Sequence, residues 1–155
     1  MTHEQLKLSN QLCFPVYAAS RLIIREYQPH LDQLGITYAQ YLVLMVLWET
    51  DGVAVSEITQ RLFLNTNTVT PILKRMEAQG LIRRQRSTDD ERKVIVSLTA
   101  AGRQLEAAAA AIPERLVASL VSENIDAEDL QALKDQLDLI VRYLGAKAEG
   151  SDSGA

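Results

Sequence analysis

Hydrophobic positions recur three or four apart over residues 8–27, at Leu8, Leu12, Val16, Ala19, Ile23 and Tyr27, the period of a helix with one buried face. Pro15 interrupts this stretch. It has no N–H for the carbonyl of Gln11, so the helix either kinks there or starts near Phe14. Pro29 and Gly35 are expected to bracket a short connector. A second, strongly apolar helix is predicted over residues 38–48, closed by Thr50, Asp51 and Gly52. A third covers residues 55–63 and a fourth residues 65–79, with Gly80 as its terminator. Pro71 is comfortable only in a first turn, which predicts regular helix from Asn67 or Thr68 onward. Residues 81–86 and 93–98 read as strands around an acidic tip, the second rich in β-branched side chains.

The C-terminal third is helical by the same test. Thr99 is expected to cap a long helix that runs through the alanines and past Pro113 to Ser122. Asp126 caps the last helix, in which Leu130, Leu133, Leu137, Ile140 and Leu144 step by 3, 4, 3 and 4 residues. Such a seam serves either an intrachain core or a subunit interface. The interface is favoured, because a terminal helix with so regular a seam needs a partner surface. Residues 149–155 form a small polar tail, expected to fray.

Helix, turn, helix and charged hairpin in that order, over residues 53–99, describe a winged helix-turn-helix. The expected fold class is therefore mainly α with a small β-hairpin. Residues 1–155 form one unit, and the helices of residues 6–34 and 100–146 are expected to make a dimerisation region. Length supports a single domain with a real core. There is no apolar run of membrane-spanning length and no signal segment at Met1, Thr2 and His3, so no membrane partner is expected. A single cysteine cannot form an internal disulfide, which makes a reducing cytoplasm the default compartment. One Cys with two distant histidines, His3 and His30, makes a poor metal site, and no metal or cofactor is expected.

The net charge of −4 argues weakly against nucleic acid, but its distribution reverses that reading. Residues 61–103 carry nine Lys and Arg against four acids, a balance of +5, while the remainder carries −9. A basic block that coincides with a helix-turn-helix is the footprint of a DNA-facing edge. The N-terminal residues of the fourth helix, Asn65, Thr66, Asn67, Thr68 and Thr70, are short polar side chains suited to base edges, thymine methyls or phosphates. Asn65 serves equally well as a plain helix cap. Lys74, one turn beyond Thr70, and Arg75 suit phosphates, and Arg84 and Arg86 on the first strand are further DNA-binding candidates. At the hairpin tip a carboxylate at Asp90 is placed to orient the guanidinium of Arg92 toward a flanking minor groove; the plainer role is to pin the turn.

Several motifs add up to a resemblance. Residues 62–77, Gly80 to Arg84, the run Asp89, Asp90, Glu91, Arg92, and Leu98, Thr99 and Gly102 resemble the MarR family of dimeric winged-helix regulators. Asn10, Gln11, Cys13, Phe14, Tyr17, Tyr27, residues 35–41 and Trp48 are similar to its branch of organic hydroperoxide resistance regulators. The resemblance covers residues 6–120 and weakens afterwards. Relatives often carry an acid and Ser-Gly where this chain has Asn65, Thr66 and Asn67, which implies a different base preference.

That resemblance implies a DNA-binding repressor, a homodimer on a pseudo-palindromic operator, that senses organic hydroperoxides through Cys13. It also implies that the thiol is supported by tyrosine hydroxyls of the partner subunit, mapping to Tyr27 and Tyr38. Tyr17 lies one turn from Cys13 on the same face. Tyr27 is about 21 Å further along a helix, so it meets a Cys13 only if two copies cross antiparallel near Ser20. Phenol donors and a helix N-terminus opened by Pro15 would both favour the thiolate. Leu12, Phe14 and Trp48 would favour alkyl or aryl hydroperoxides. With no second Cys, a sulfenic acid would be capped by a low-molecular-weight thiol, form a sulfenamide or overoxidise.

Two other readings compete. A MarR-type regulator could be released by a non-covalent apolar or phenolic ligand held under the same helices. A thiol peroxidase is the third, but no Arg or Thr accompanies Cys13 as catalytic groups would, there is no resolving thiol, and it leaves the helix-turn-helix without a purpose. An enzyme is not expected.

Overall fold

The computed structural model describes residues 3–152; Met1, Thr2 and residues 153–155 of the expected tail lie outside them. Two short 3-10 turns, Glu4–Leu6 and Leu8–Asn10, precede helix α1, Cys13–Leu34. Side-chain amides hold these turns: Asn10 Nδ2 donates to the Glu4 carbonyl at 2.8 Å and Gln11 Nε2 to that of Gln5 at 2.7 Å. The regular helix thus begins at residue 13, not residue 8. Pro15 is its third residue, where the missing N–H has no intrahelical acceptor, so it starts α1 and does not kink it.

Pro29 corrects the expected connector, because α1 continues through it to Leu34. Only the bond to the Arg25 carbonyl is lost, on an exposed stretch, while Leu31, Leu34 and Ile36 hold the helix end against the core. The true corner is Gly35, at φ 68°, followed by a capping box. Gln40 N–H donates to Thr37 Oγ1 and Thr37 N–H donates to Gln40 Oε1, closing the first turn of helix α2, Tyr38–Glu49. Tyr41, Val43, Leu44, Val46 and Leu47 are all buried, as befits a core helix that is apolar nearly all round.

Strand β1, Val53–Ala54, leads into α3, Val55–Leu62, and a tight turn at Phe63 leads to α4, Thr66–Ala78. Asn65 caps α4, its Oδ1 accepting from the Thr68 N–H at 2.9 Å. The helix therefore starts at Thr66, earlier than Pro71 suggested, and Pro71 sits inside it. Burial of Val69, Ile72, Leu73 and Met76 outweighs the one missing bond to the Asn67 carbonyl. Strands β2, Ile82–Arg86, and β3, Val94–Leu98, form the wing hairpin, and β1 adds a third antiparallel strand against β3 with Val53 opposite Val96.

The long helix expected from Thr99 is two helices, α5, Ala100–Ala109, and α6, Ile112–Leu120, broken at Ala110 and Ala111. Pro113 is the second residue of α6, and its ring would collide with the Ala109 carbonyl in a continuous helix. Helix α7, Ala127–Asp152, extends through most of the residues expected to fray. It starts on a reciprocal pair, with Asp129 N–H donating to Asp126 Oδ1 at 2.9 Å and Asp126 N–H to Asp129 Oδ2 at 3.0 Å. The chain itself covers the seam of α7 only in part: Leu130 and Leu137 are half-buried, while Leu133, Ile140 and Leu144 are each about half exposed. Among the described residues no helix is long and apolar enough to cross a membrane.

Candidate redox site and nucleic-acid interface

Helix α4, the second helix of the helix-turn-helix and hence its recognition helix, forms with the wing and the start of α3 an open cleft of about 480 Å³. Thr66, Thr70, Arg84, Asp90 and Arg92 line it, joined by Ser56, Leu73 and Lys93. Thr66 and Thr70 are four residues apart and share the face of α4 that looks into it. Asn67, Thr68, Lys74, Arg75 and Arg86 are exposed but do not line the cleft. The side-chain oxygen of Asn65 is engaged in the cap, accepting from both the N–H and the hydroxyl of Thr68.

Alternation along β2 puts Arg84 and Arg86 on one face and Arg83 and Gln85 on the other. Arg84 is bound by Glu77 of α4: its Nε and Nη2 donate to Oε2 at 3.0 and 2.7 Å, and its backbone N–H donates to Oε1 at 2.9 Å. These bonds hold the Glu77 carboxyl below its usual range. Arg84 is therefore a strut that fixes the wing against the recognition helix. The spacing of seven residues across a helix, a turn and a strand gave no sign of this pair.

The wing tip is built on Asp90. Its Oδ1 accepts from the Arg92 N–H and Nε, both at 3.1 Å, and Oδ2 from Nη2 at 3.4 Å. The Arg92 guanidinium, and then its backbone N–H, hold the Asp90 carboxyl below its usual range. Lys93 N–H donates to the Asp90 carbonyl, and Ser87 Oγ accepts from the N–H groups of Asp89 and Asp90. Arg92 itself is 90% exposed, so a fixed cation projects from a pinned turn.

Cys13 is exposed at the first turn of α1. Arg21 Nη1 donates to the Tyr17 hydroxyl at 2.8 Å, and the guanidinium lies 5.5 Å from that ring's centre. Tyr27 and Tyr38 come together at the α1–α2 corner, ring centres 5.1 Å apart. Tyr41 completes the group, 5.9 Å from Tyr27 and 6.3 Å from Tyr38, and Trp48 packs edge-on against Tyr41. Burial first, and then the neighbouring phenols Tyr38 and Tyr41, push the Tyr27 pKa up to about 12; burial raises that of Tyr38 as well. Both phenols remain protonated donors at any physiological pH.

Cys13 and Tyr27 are fourteen residues apart on one helix, and the Tyr27–Tyr38 pair lies near its far end. Tyr41 was not singled out from the sequence; its position three residues after Tyr38 on a helix was the available signal. Trp48 has a structural partner, its Nε1 donating to the Gly102 carbonyl at 3.0 Å. No group of three His, Cys, Asp or Glu among the described residues could hold a metal ion.

Comparison with known proteins agrees with this architecture. A family model described as transcriptional regulator SarA/Rot matches residues 25–108. The organic hydroperoxide resistance transcriptional regulator of Bacillus subtilis is 45% identical over 144 residues, which cover 93% of this chain and 96% of that protein. The solved structure of reduced AbfR bound to DNA superposes with a TM-score of 0.74 at 36% identity, covering 93% of this chain and 99% of that one. Overoxidized AbfR bound to DNA gives 0.71 at 39% identity, covering 93% and 98%. The chain belongs to the MarR family of winged helix-turn-helix transcription regulators, within its organic hydroperoxide resistance branch.

Proposed function

We propose that the chain is a homodimeric, cytoplasmic repressor that binds a pseudo-palindromic operator and releases it when an organic hydroperoxide oxidises Cys13. The observation that supports this reading is an exposed Cys13 at one end of α1 and a protonated Tyr27–Tyr38 pair near the other, a thiol and donors that a single chain keeps apart. The apolar residues of the first half of α1 and its approach support a second subunit there: Leu12, Phe14, Val16 and Leu22 are all exposed, as are Leu133, Ile140 and Leu144 of the α7 seam. An antiparallel crossing of two α1 helices sets the thiol of one subunit against the tyrosines of the other.

The chemistry is a two-electron displacement. The Cys13 thiolate attacks the distal peroxide oxygen, the S–O bond forms as O–O breaks, and the alkoxide leaves and takes a proton to become the alcohol. A low-molecular-weight thiol then condenses with the sulfenic acid, with loss of water, to give a mixed disulfide. That overoxidized AbfR is bound to DNA supports the capped form, more than an oxygen on sulfur alone, as the species that lets go. A capped Cys13 no longer fits between the tyrosines, and the two DNA-reading heads lose their register.

On DNA, Asn67, Thr66, Thr68 and Thr70 meet base edges and backbone, Lys74, Arg75 and Arg86 meet phosphates, and Arg92, aimed by Asp90, enters the flanking minor groove. Operator titration at fixed salt tests the whole reading. Wild type treated with an organic hydroperoxide and a small thiol is expected to release DNA, reversibly with dithiothreitol, while Cys13→Ser stays bound. Release of both proteins, or of neither, would refute the redox switch and leave the winged helix in place.

A further inference from the structure

Gln40 is a buried polar residue of the core, only 4% exposed, and both ends of its amide are engaged. Its Oε1 accepts from the Thr37 N–H at 3.0 Å, inside the capping box that starts α2 beside Tyr38. Its Nε2 donates to Gln79 Oε1 at 2.8 Å, across 39 residues of sequence. Gln79 follows the last residue of the recognition helix and closes it, its N–H donating to the Arg75 carbonyl at 2.9 Å. The Gln79 Nε2 in turn donates to the Gly35 carbonyl at 3.4 Å. Two amides therefore tie the α1–α2 corner, where Tyr27 and Tyr38 pack with tilted rings, to the C-terminal end of α4.

Val43, Leu44 and Leu47 of α2 and Val69, Ile72, Leu73 and Met76 of α4 belong to one apolar core, and such packing fixes no direction. The amide pair is directional, and a buried Gln40 deprived of its acceptor costs free energy, so the pair has few acceptable geometries. An open cleft of about 500 Å³, lined by Gly35, Thr37, Gln40, Arg75, Ala78 and Gln79, lies beside it and gives the end of α4 room to move. We propose that Gln79 is the positioning residue through which the state of the Tyr27–Tyr38 pair reaches the recognition helix. This rests on the redox reading above. A displaced Tyr38 carries Thr37 and the first turn of α2 with it, Gln40 pulls on Gln79, and α4 turns about its C-terminal end.

The test is the ratio of operator Kd between thiol-capped and reduced protein, at one salt concentration. Gln79→Met and Gln79→Lys both deny Gln40 its acceptor, the latter without adding apolar surface; Gln79→Glu keeps that acceptor. The ratio is expected to fall about tenfold in Met and Lys and to stay within about threefold of wild type in Glu. The rate of sulfenate formation at Cys13 should be unchanged in all three, a result that separates signal transmission from sensing. A wild-type ratio in Gln79→Met and Gln79→Lys would overturn the assignment, whatever their thermal stability. If wild type itself keeps its operator after capping, the redox reading fails and Gln79 has no signal to carry.

Discussion

Replacing Gly102 with alanine should weaken this protein, although helix propensity favours the change. Gly102 is the third residue of α5, and a Cβ built there lies 2.2 Å from the Leu81 carbonyl oxygen and 3.1 Å from Leu98 Cδ2. Restoring ordinary contact requires α5 to move by roughly 1 Å. The same Leu81 oxygen accepts from the N–H and the hydroxyl of Thr99, each at 3.0 Å, and Thr99 Oγ1 accepts from the Gly102 N–H at 3.2 Å. Overpacking costs about 1–3 kcal/mol and each strained hydrogen bond about 1 kcal/mol. Better propensity returns at most about 1 kcal/mol. The net loss is about 2 kcal/mol, or roughly 4–8 °C in Tm for a chain of this size. Urea and thermal unfolding at matched protomer concentration would measure it, because a dimer's midpoint depends on concentration. Because this corner anchors the base of both wing strands, operator affinity should fall as well. A Gly102→Ala protein as stable as wild type, or more so, would refute the close-approach argument.

Two further outcomes follow from the interface. The Glu77 carboxyl is held below its ordinary value of 4.5, so its contribution to stability is present above that pH and lost as pH falls through the lowered value. Glu77→Gln should therefore lower the urea midpoint at neutral pH, and the difference from wild type should shrink on acidification below about pH 4.5. A pH-independent gap would contradict the Glu77–Arg84 strut. Arg92→Ala should weaken operator binding and reduce the slope of log K against log salt by about one contact. Should affinity and slope both stay at wild-type values, Arg92 does not touch DNA.

The winged part of the fold was legible because its signals are local. Asn65 and Thr99 cap the helices they precede, and residues 93–98 carry enough β-branched side chains to specify β3. Strand β1 was not legible, being only two residues long and a strand solely by pairing with Ile95 and Val96. The prolines misled in both directions. Pro29 and Pro71 lie within helices whose buried neighbours outweigh one lost bond, whereas Pro113 ends a helix that alanine propensity would have continued. At the candidate site, Cys13, Tyr17, Tyr27 and Tyr38 stood out as residue types, and the Asp90–Arg92 pair as a spacing of two. The Arg84–Glu77 strut and the Gln40–Gln79 pair exist only through tertiary packing, so no pattern along the chain announced them.

The central claim is that Cys13 of one subunit works against Tyr27 and Tyr38 of the other, and mixed dimers of differently tagged chains test it directly. In the first, a Cys13→Ser chain is paired with a Tyr27→Phe, Tyr38→Phe chain, so the remaining thiol faces intact tyrosines across the interface. In the second, a chain carrying all three substitutions is paired with wild type, so the remaining thiol faces phenylalanines across the interface but keeps the tyrosines of its own chain. The measurement is the rate of sulfenate formation per thiol with one organic hydroperoxide. The account predicts a wild-type rate in the first dimer and a slow one in the second. The reverse order, or equal rates, would contradict it.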